Sequence, residues 1–474
     1  MSRIKSIHIH NFKFFDEQQA IDLGDAGKHL LLYGENGSGK SSVYWSLYTL
    51  FESSVKQDPE KIKKYFRDSS ISKESLVNIY APKITEADGT EHYNSFIKIK
   101  TTDNPAIEYE VSFLNTAISG NVNAIEVNQA SDFLNYKVLY KFQDFLNGEP
   151  IDLANIFAGY ILPYVQFPSY DIWRAGVLRS VTNAFEMWQE IKTGPGSTTN
   201  AKGKTIQVYK YSPENLQFDR FCAHFEKEMK DLIDFVNVNA AEILKKLGYE
   251  IEFELRYSSH WHQKVDVNYH CSPFKIQLII TSYLGNPVSI HRPQSFLNEA
   301  KITAIAIAIR LTILKKRVNE QAPDLLKFIV FDDVMISLDM NNRDKLIDFL
   351  LDEDNKFTKD YQLIFLTHDK NLFDFVSFKI KKLHDPKEWV FKEMYAGKDA
   401  AGKKEYPILI DSDLECIDKA KKYFDAKDYT AASIYIRKEL EKIVNERLPA
   451  ELKYKADGSF PSLGYNITHY ARWF

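Results

Sequence analysis

Residues 34–41 read Gly-Glu-Asn-Gly-Ser-Gly-Lys-Ser, and this segment constrains the fold more than any other part of the sequence. It matches the phosphate-binding pattern in which two glycines enclose four residues and are followed by a lysine and a hydroxyl residue. The glycines let successive backbone N–H groups turn inward around a phosphate, and the amino end of the next helix adds positive potential. In this pattern Lys40 reaches the outer phosphates and the Ser41 hydroxyl binds Mg²⁺.

The surroundings of this segment supply the structural context that the pattern requires. Residues 3–33 alternate between apolar and polar and then condense into an apolar run at 29–33, which predicts two strands, the second buried on both faces. Residues 41–51 carry apolar side chains at helical spacing. We therefore expect a strand, a glycine-rich turn and a helix, with ATP and Mg²⁺ as ligands. The predicted nucleotide-binding residues are Gly34, Asn36, Gly37, Ser38, Gly39, Lys40, Ser41 and Ser42.

Two adjacent carboxylates follow a later apolar stretch of the chain. Residues 328–331 (Phe-Ile-Val-Phe) predict a buried strand, and Asp332 and Asp333 come directly after it. One carboxylate at the carboxyl end of such a strand can hold Mg²⁺, and its neighbour can orient or deprotonate an attacking water. Paired acids after a strand alone indicate a solvated turn, but the phosphate-binding segment favours the catalytic interpretation.

The order of three motifs resembles the ABC ATPase heads of the RecF, RecN and SMC group. The motifs are the P-loop at 34–41, Phe-Asp-Asp-Val-Met-Ile-Ser-Leu-Asp at 331–339 and Leu-Thr-His-Asp at 366–369. The resemblance covers residues 1–145 and 265–395. It implies that Asp332 binds Mg²⁺, that Asp333 is the catalytic carboxylate, that Asp339 lies in the D-loop and that His368 contacts the γ-phosphate.

The sequence departs from that family at two motifs. The catalytic position holds Asp333 where the family has glutamate, which suggests slow or partner-stimulated hydrolysis. The family's signature motif corresponds to residues 296–301 (Phe-Leu-Asn-Glu-Ala-Lys), without the usual serine and glycines. The amino end of the helix that follows, together with Asn298, could still meet a γ-phosphate across a dimer interface. The alternative is an ordinary capped core helix.

Gln129 is a candidate for the family's Q-loop glutamine. It follows a strand-like segment and is expected to open a helix, where the family places a ligand of Mg²⁺ or water. A surface glutamine without a role at the site is an equal alternative.

These patterns predict an α/β fold, a P-loop NTPase with an ABC-ATPase head, divided into four regions. Residues 1–150 form the first half of the head, with an antiparallel side sheet over 76–115 that turns at Asp88-Gly89. Residues 151–264 form an arm of two antiparallel helices that projects about 30–45 Å, joined by a loop over 194–204. Residues 265–400 complete the head, and residues 401–474 form a helical C-terminal region.

Charge, cysteines and histidines point to few additional sites. The net charge is −4 and the pI about 6.3, so a DNA-binding surface would have to be a local basic patch. Candidates for such a patch are Lys202, Lys204, Lys210, Lys245 and Lys246. The three cysteines lie far apart in sequence, which argues against a zinc site, and His260, His262 and His270 are expected to be loop histidines. We expect a cytoplasmic protein, since the sequence has no signal-like or membrane-spanning apolar stretch.

The resemblance also implies a function. Heads of this group sandwich two nucleotides between two chains, so we expect a homodimer or larger assembly in which ATP closes the heads and hydrolysis reopens them. The segment 428–441 resembles the tails of stand-alone bacterial ATPases of anti-phage defence operons, which control an effector protein, often a nuclease. The alternative is a DNA repair or recombination ATPase of the RecF and SMC type that binds DNA directly. A subunit of a membrane transporter is disfavoured by the poor signature motif.

Overall fold

The structure is a computed structural model, and it describes residues 2–17, 19–56, 58–143, 145, 148–174, 177–195, 197–199, 205–207, 213–265, 268–319, 324–335, 338–399, 401–412, 415–425, 429–447, 462–465 and 467–468. Much of the predicted loop over 194–204 lies outside these residues, as do Lys202, Lys204 and Lys210 of the basic patch and most of the chain after residue 447.

The elements follow one another along the chain in three groups. Residues 4–156 hold β1 (Ile4–His10), β2 (Gln19–Asp22), β3 (His29–Gly34), α1 (Lys40–Glu52), α2 (Glu60–Lys63), β4 (Lys83–Thr85), β5 (Glu91–Tyr93), β6 (Phe96–Thr101), β7 (Glu108–Ser112), α3 (Val122–Ala130), β8 (Asp132–Asn135), α4 (Tyr136–Tyr140) and α5 (Ala154–Ile156). Residues 166–290 hold β9 (Gln166–Arg174), β10 (Val177–Asn183), α6 (Ala184–Thr193), β11 (Ser197–Thr199), β12 (Thr205–Gln207), α7 (Pro213–Lys246), β13 (Ile251–Ser258), β14 (Trp261–Val265), β15 (Asn268–Ser272), β16 (Lys275–Tyr283) and β17 (Asn286–Ile290). Residues 299–447 hold α8 (Glu299–Asn319), β18 (Phe328–Asp332), α9 (Met340–Leu351), α10 (Phe357–Asp360), β19 (Gln362–Thr367), α11 (Lys370–Leu383), β20 (Trp389–Lys398), β21 (Glu405–Asp411), α12 (Cys416–Asp425) and α13 (Tyr429–Arg447).

A six-stranded sheet in the order β21-β20-β3-β19-β18-β8 forms the centre of the head. All pairs from β20 to β8 are parallel, and β21 joins the edge antiparallel to β20. Every residue of β3 and β19 is buried, as expected for parallel strands covered on both faces. The carboxyl ends of β3, β18 and β19 therefore meet at one edge of the sheet, and the α/β fold class is confirmed. Because β21 belongs to this sheet, the head extends past residue 400, and the helical C-terminal region begins only with α12.

The predicted antiparallel side sheet is present, in the order β2-β1-β6-β7. Beside it, the Asp88-Gly89 turn closes the separate β4–β5 hairpin, with Gly89 at φ 85°. The segment 76–82, expected to be a strand, forms only an isolated bridge between Val77 and Phe12. The buried face of α1 packs in the same core as the apolar residues of β1, β3 and β6.

The first of the two predicted arm helices, expected from about residue 169, is wrong as far as residue 183, because Gln166–Arg174 and Val177–Asn183 pair as the β9–β10 hairpin. Ile172 and Val181 are buried, whereas Trp173 and Val177 are exposed, and Ile172 and Val181 lie on paired strands of the hairpin. β-Branched and aromatic residues favour this pleated, half-buried arrangement. Helical structure begins only with α6, where Trp188 is buried as predicted.

The second predicted arm helix is present as α7, but it does not project from the head. Its 34 residues span about 51 Å. The aromatic and aliphatic stripe that includes Phe221, Phe225, Met229 and Val236 is fully buried in the main core of the head. α7 contacts α8, β13 and β9, so its apolar stripe is covered within the core of the head and not by a second arm helix. The projecting two-helix arm is therefore a wrong prediction.

The described part of the C-terminal region is helical, as predicted, and packs on the edge of the central sheet. Tyr423 of α12 and Ala432 of α13 form a small core with Ile410 of β21. Beneath them the buried carboxylate of Glu393 on β20 lies 3.2 Å from the Lys419 ammonium of α12 and 3.4 Å from that of Lys370 in α11. Among the described residues, no helix is both long and apolar enough to cross a membrane.

Candidate nucleotide-binding site

The P-loop turns from β3 into α1 through a tightly packed glycine-rich segment. Gly37 and Gly39 have φ angles of 86° and 108°, a region that glycine adopts readily and other residues rarely do. A Cβ atom at Gly34 would lie 2.4 Å from the Ser38 Oγ and 2.8 Å from the backbone oxygen of Met394. The fold of the loop therefore requires glycine at Gly34 for steric reasons and at Gly37 and Gly39 for conformational ones.

Lys40 is buried, and its ammonium group is held by its own loop. It donates hydrogen bonds to the backbone oxygens of Gly34 and, at 2.9 Å, Glu35. Burial lowers the pKa of Lys40, and the negative charges of Asp333 and Asp332 oppose that shift. The ammonium can exchange these carbonyl partners for phosphate oxygens without a change of backbone, since charge-assisted hydrogen bonds to phosphate are stronger than those to carbonyls.

A cleft of about 620 Å³ opens in front of the P-loop, within the size range of small-molecule sites. Seven predicted site residues line it: Asn36, Gly37, Gly39, Lys40, Ser41, Ser42 and Asp333. The sequence analysis missed Lys13, Phe14 and Tyr80, which line the same cleft. The backbone N–H of Phe14 donates to the Ser42 Oγ at 3.3 Å, which ties the loop after β1 to the start of α1. No local motif marks these three residues.

Asp332 ends β18 beside the P-loop. Its backbone pairs with Leu366 on β19 and with Asn135 on β8. The Oδ1 atom is buried without a hydrogen-bond partner. Burial, and then the charge of Asp333, raise the pKa of Asp332 to about 7. A carboxylate in this state gains from a nearby cation, and with the Ser41 hydroxyl it supplies oxygen ligands of the kind that Mg²⁺ prefers, so the residues present fit a magnesium ion.

Asp333 is held in an unusual conformation against His368. Its φ of 53° lies in the left-handed region, and its N–H donates to the backbone oxygen of Leu366 at 3.0 Å. The Asp333 Oδ1 accepts a hydrogen bond from the His368 N–H at 3.0 Å and lies 2.9 Å from His368 Nδ1. Strained backbone of this kind persists where the surroundings fix it, commonly at functional sites. The structure thus brings Asp333 and His368 together.

Asp339 lies outside the lining of the cleft and caps α9. Its carboxylate accepts hydrogen bonds from the N–H of Asn342 at 3.0 Å and from the Asn342 side chain at 2.7 Å. Arg343 then donates to the backbone oxygen of Leu338 at 2.7 Å and pairs with Asp369 at 2.8 Å. Arg343, which the sequence analysis did not single out, therefore connects the predicted D-loop with the segment that carries His368.

Gln129 is placed away from the site. It lies in the last turn of α3, before β8, and so does not open a helix as expected. The carboxyl end of β8 is at Asn135, which pairs with Asp332. The other end of this strand, Asp132, is about 10 Å from Asn135 at strand spacing, and Gln129 comes before Asp132 in the chain. The prediction failed because the four-residue strand β8 follows Gln129. The residue that this strand places beside Asp332 is Asn135.

Asn298 caps α8 and lies apart from the cleft of its own chain. Its Oδ1 accepts a hydrogen bond from the N–H of Lys301 at 3.1 Å, and the residue is exposed. Among the described residues, those that line the cleft do not include Asn298.

Solved structures similar to this chain include three SMC heads. The Smc head domain with a coiled coil and joint from Pyrococcus yayanosii is 11% identical with a TM-score of 0.45, over 91% of this chain and 100% of that chain. The Smc head domain from Pyrococcus furiosus, with an extended coiled coil and bound to the C-terminal domain of ScpA, is 13% identical with a TM-score of 0.42, over 90% and 99%. The SMC head domain from Thermotoga maritima is 13% identical with a TM-score of 0.33, over 87% and 100%.

Among curated protein sequences, none matches this chain. A family model described as an AAA domain matches residues 6–246, just over half of the chain, including the P-loop. The acidic pair Asp332-Asp333 and the segment 366–369 with His368 follow that region, and the central sheet places the carboxyl ends of β18 and β19 at the same edge as that of β3. The chain therefore belongs to this AAA-domain family.

Proposed function

We propose that the chain binds and hydrolyses ATP in the cleft in front of the P-loop. The observation that carries this proposal is the position of Asp333, fixed at the P-loop edge against His368. Lys40 and the loop N–H groups bind the phosphates, and Ser41 and Asp332 hold Mg²⁺. Bound Mg²⁺ neutralises charge on the phosphates. Phe14 and Tyr80 line the same cleft and are candidates to contact the base or ribose.

Asp333 and His368 have different roles in the proposed hydrolysis. The Asp333 carboxylate orients the attacking water and accepts its proton. His368 hydrogen-bonds one oxygen of Asp333, and its ring is the candidate to contact the γ-phosphate. The shorter aspartate keeps that oxygen close to the backbone, and we therefore expect slow turnover that a partner accelerates.

Two chains form a nucleotide-dependent dimer in this proposal. Asn298 and the amino end of α8 are exposed and lie apart from the cleft in their own chain. A helix amino terminus with a capping side chain binds anions well, so a second chain can receive it at its γ-phosphate. ATP then closes the pair, and hydrolysis reopens it.

The closed pair controls a partner effector protein, a nuclease in our proposal, in bacterial anti-phage defence. This role rests on the resemblance of the segment 428–441 to the tails of defence ATPases. It is compatible with a head whose long helix α7 packs into the core and does not form a projecting arm. Direct DNA binding has less support. Of the five lysines proposed as a basic patch, the structure describes Lys245 and Lys246, and Lys246 pairs with Glu242 at 3.2 Å.

The test measures ATP turnover of the purified chain with and without double-stranded DNA, at low and moderate salt, with Lys40→Ala as the blank. Turnover that is slow, absent in Lys40→Ala and indifferent to DNA is the expected result. Stimulation by DNA that weakens with salt would favour the DNA-binding alternative. Turnover equal in Lys40→Ala and wild type would overturn the proposed site.

A further inference from the structure

Three side chains that can bind a metal ion meet between α7 and the β14–β15 hairpin. Cys222 lies on α7, His262 on β14 and His260 just before that strand. One potential ligand atom from each residue lies within 4.8 Å of the others. Cys222 is 4% exposed and His260 9% exposed, while His262 is partly exposed. Cys222 is at least 38 positions from either histidine in the sequence, so sequence spacing did not reveal the cluster.

The fold brings these residues together through two periodicities. His260 and His262 are two positions apart in extended chain, so their side chains point to the same face, and their rings stack with centroids 5.7 Å apart. Cys222 lies on the buried stripe of α7. Asp219 precedes it by three positions, which places both on one side of the helix. The Asp219 Oδ1 is 3.4 Å from the Nε2 atom of His262.

The surroundings of the cluster suit a ligand rather than a polar core contact. The Nδ1 atom of His260 is buried and has no hydrogen-bond partner. Trp188 and Phe225 flank the His260 ring, with centroids 5.8 Å and 6.3 Å away, and offer it no lone pair or carboxylate. Burying a polar atom without a hydrogen-bond partner costs free energy of folding. A metal ion bound by the cluster would remove that cost if it bound His260 Nδ1, or if the ring turned so that Nδ1 found another partner.

We propose that Cys222, His260 and His262 bind a zinc ion, with Asp219 orienting the His262 ring and water in the fourth position. Thiolate and imidazole ligands select zinc over Mg²⁺ and Ca²⁺. In a tetrahedral zinc site the ligand atoms are about 3.3–3.6 Å apart, so side chains whose ligand atoms lie within 4.8 Å of one another must close by up to about 1.5 Å. The partly exposed His262 can supply that movement by a small rotation. Binding releases the proton of the Cys222 thiol, because the thiolate is the ligand.

The bound ion would fasten the β14–β15 hairpin to α7. The Tyr269 hydroxyl of the hairpin donates to the backbone oxygen of Ile191 at 2.7 Å, and a metal bond to α7 would add a further connection to a helix. Because zinc binds the assembled site, folding and binding are linked, and added zinc should raise the midpoint of thermal unfolding.

The experiment uses the full chain without a polyhistidine tag, equilibrated with a slight excess of ZnCl₂, desalted and analysed for zinc by mass spectrometry. The expected result is about one zinc ion per chain in wild type. Cys222→Ser and His262→Ala should each lose it. The controls Cys416→Ser and His270→Ala remove a cysteine and a histidine outside the cluster and should keep it.

Cobalt substitution makes the test independent of folding defects in the variants. Wild type loaded with Co²⁺ should show thiolate-to-cobalt charge transfer in the near ultraviolet, which added zinc abolishes and which is absent in Cys222→Ser. Circular dichroism confirms that the variants are folded, and His262→Ala is the milder change because that side chain is partly exposed. Wild type without zinc after desalting, or zinc retained in Cys222→Ser, would overturn the proposal.

Discussion

The carboxylate oxygen Oδ1 of Asp333 is shared by both the backbone N–H and the ring Nδ1 of His368, at 3.0 Å and 2.9 Å. The two residues directly follow neighbouring parallel strands, β18 and β19. A movement of His368 toward a phosphate therefore also moves the proposed catalytic carboxylate. In the proposed function, this coupling would link nucleotide sensing to hydrolysis in a single contact.

Asp333→Asn should reduce ATP turnover by about 100-fold or more while leaving ATP binding intact, because the amide cannot accept the proton of the attacking water. Asparagine tolerates the left-handed backbone at this position, so the fold should be retained. Single-turnover hydrolysis and fluorescent-nucleotide binding measure the two effects. Unchanged turnover in this variant would remove Asp333 from the catalytic role.

Asp332→Asn should stabilise the nucleotide-free chain increasingly as the pH rises from about 4 to 7, and by a constant amount above that. The folded chain holds the Asp332 proton more tightly than the unfolded chain, with a pKa of about 7 against 3.8. Wild-type stability therefore falls across this interval by up to a few kcal/mol, and the variant avoids that loss.

The measurement for Asp332 is the free energy of unfolding by urea at several pH values without Mg²⁺ or nucleotide. Asp354→Asn, which changes an exposed carboxylate, serves as the control and should leave the pH dependence of wild type unchanged. A difference between Asp332→Asn and wild type that is constant with pH would contradict the raised pKa.

Gly34→Ala should destabilise the chain more than Gly37→Ala. The new methyl group at Gly34 meets the Ser38 Oγ and the Met394 backbone oxygen, and a clash of this kind costs about 1–3 kcal/mol. At Gly37 a Cβ meets nothing within 4 Å, so only its φ of 86° opposes the change. Thermal unfolding of the two variants side by side gives the comparison, and equal midpoints would argue against the packing of the loop described above.

Asn298→Ala should weaken ATP-dependent dimerisation while leaving ATP binding by each chain unchanged. The matched control is Asn183→Ala, since Asn183 caps α6 with hydrogen bonds from the N–H groups of Phe185 and Glu186. Both variants lose a helix cap worth about 1 kcal/mol. Light scattering with a slowly hydrolysed ATP analogue reports the dimer, and the same loss in both variants would assign the effect to stability alone.

Local patterns in the sequence correctly placed the glycine-rich turn between β3 and α1 and the acid pair at the end of β18, and the roles of these residues stay a prediction. The glycine-rich turn with Lys40 and the acid pair at the end of β18 each depend on a few adjacent residues, so their geometry follows from spacing. The left-handed backbone of Asp333 and its contact with His368 arise from the pairing of strands far apart in sequence. Lys13 and Tyr80 reach the cleft in the same non-local way.

The failures of prediction have a common physical cause. Over residues 166–183 the apolar residues fit a helical stripe about as well as an alternating hairpin, and tertiary burial of Ile172 and Val181 decides between them. Gln129 was misplaced because a four-residue strand, β8, was not recognised after it. The Cys222 cluster combines a helix residue with a distant hairpin, which no spacing rule could identify.

The contacts of Glu393 with Lys419 and Lys370 have a consequence for the boundaries of stable fragments. The carboxylate is 2% exposed, and a buried ion that loses one partner typically costs about 3–5 kcal/mol. Removal of α12 would take Lys419 away and open the edge of the sheet to water at the same time. A truncation after β21 should therefore yield an aggregation-prone product, and helices α12 and α13 count as part of the cooperative folding unit of the ATPase rather than as an appended tail.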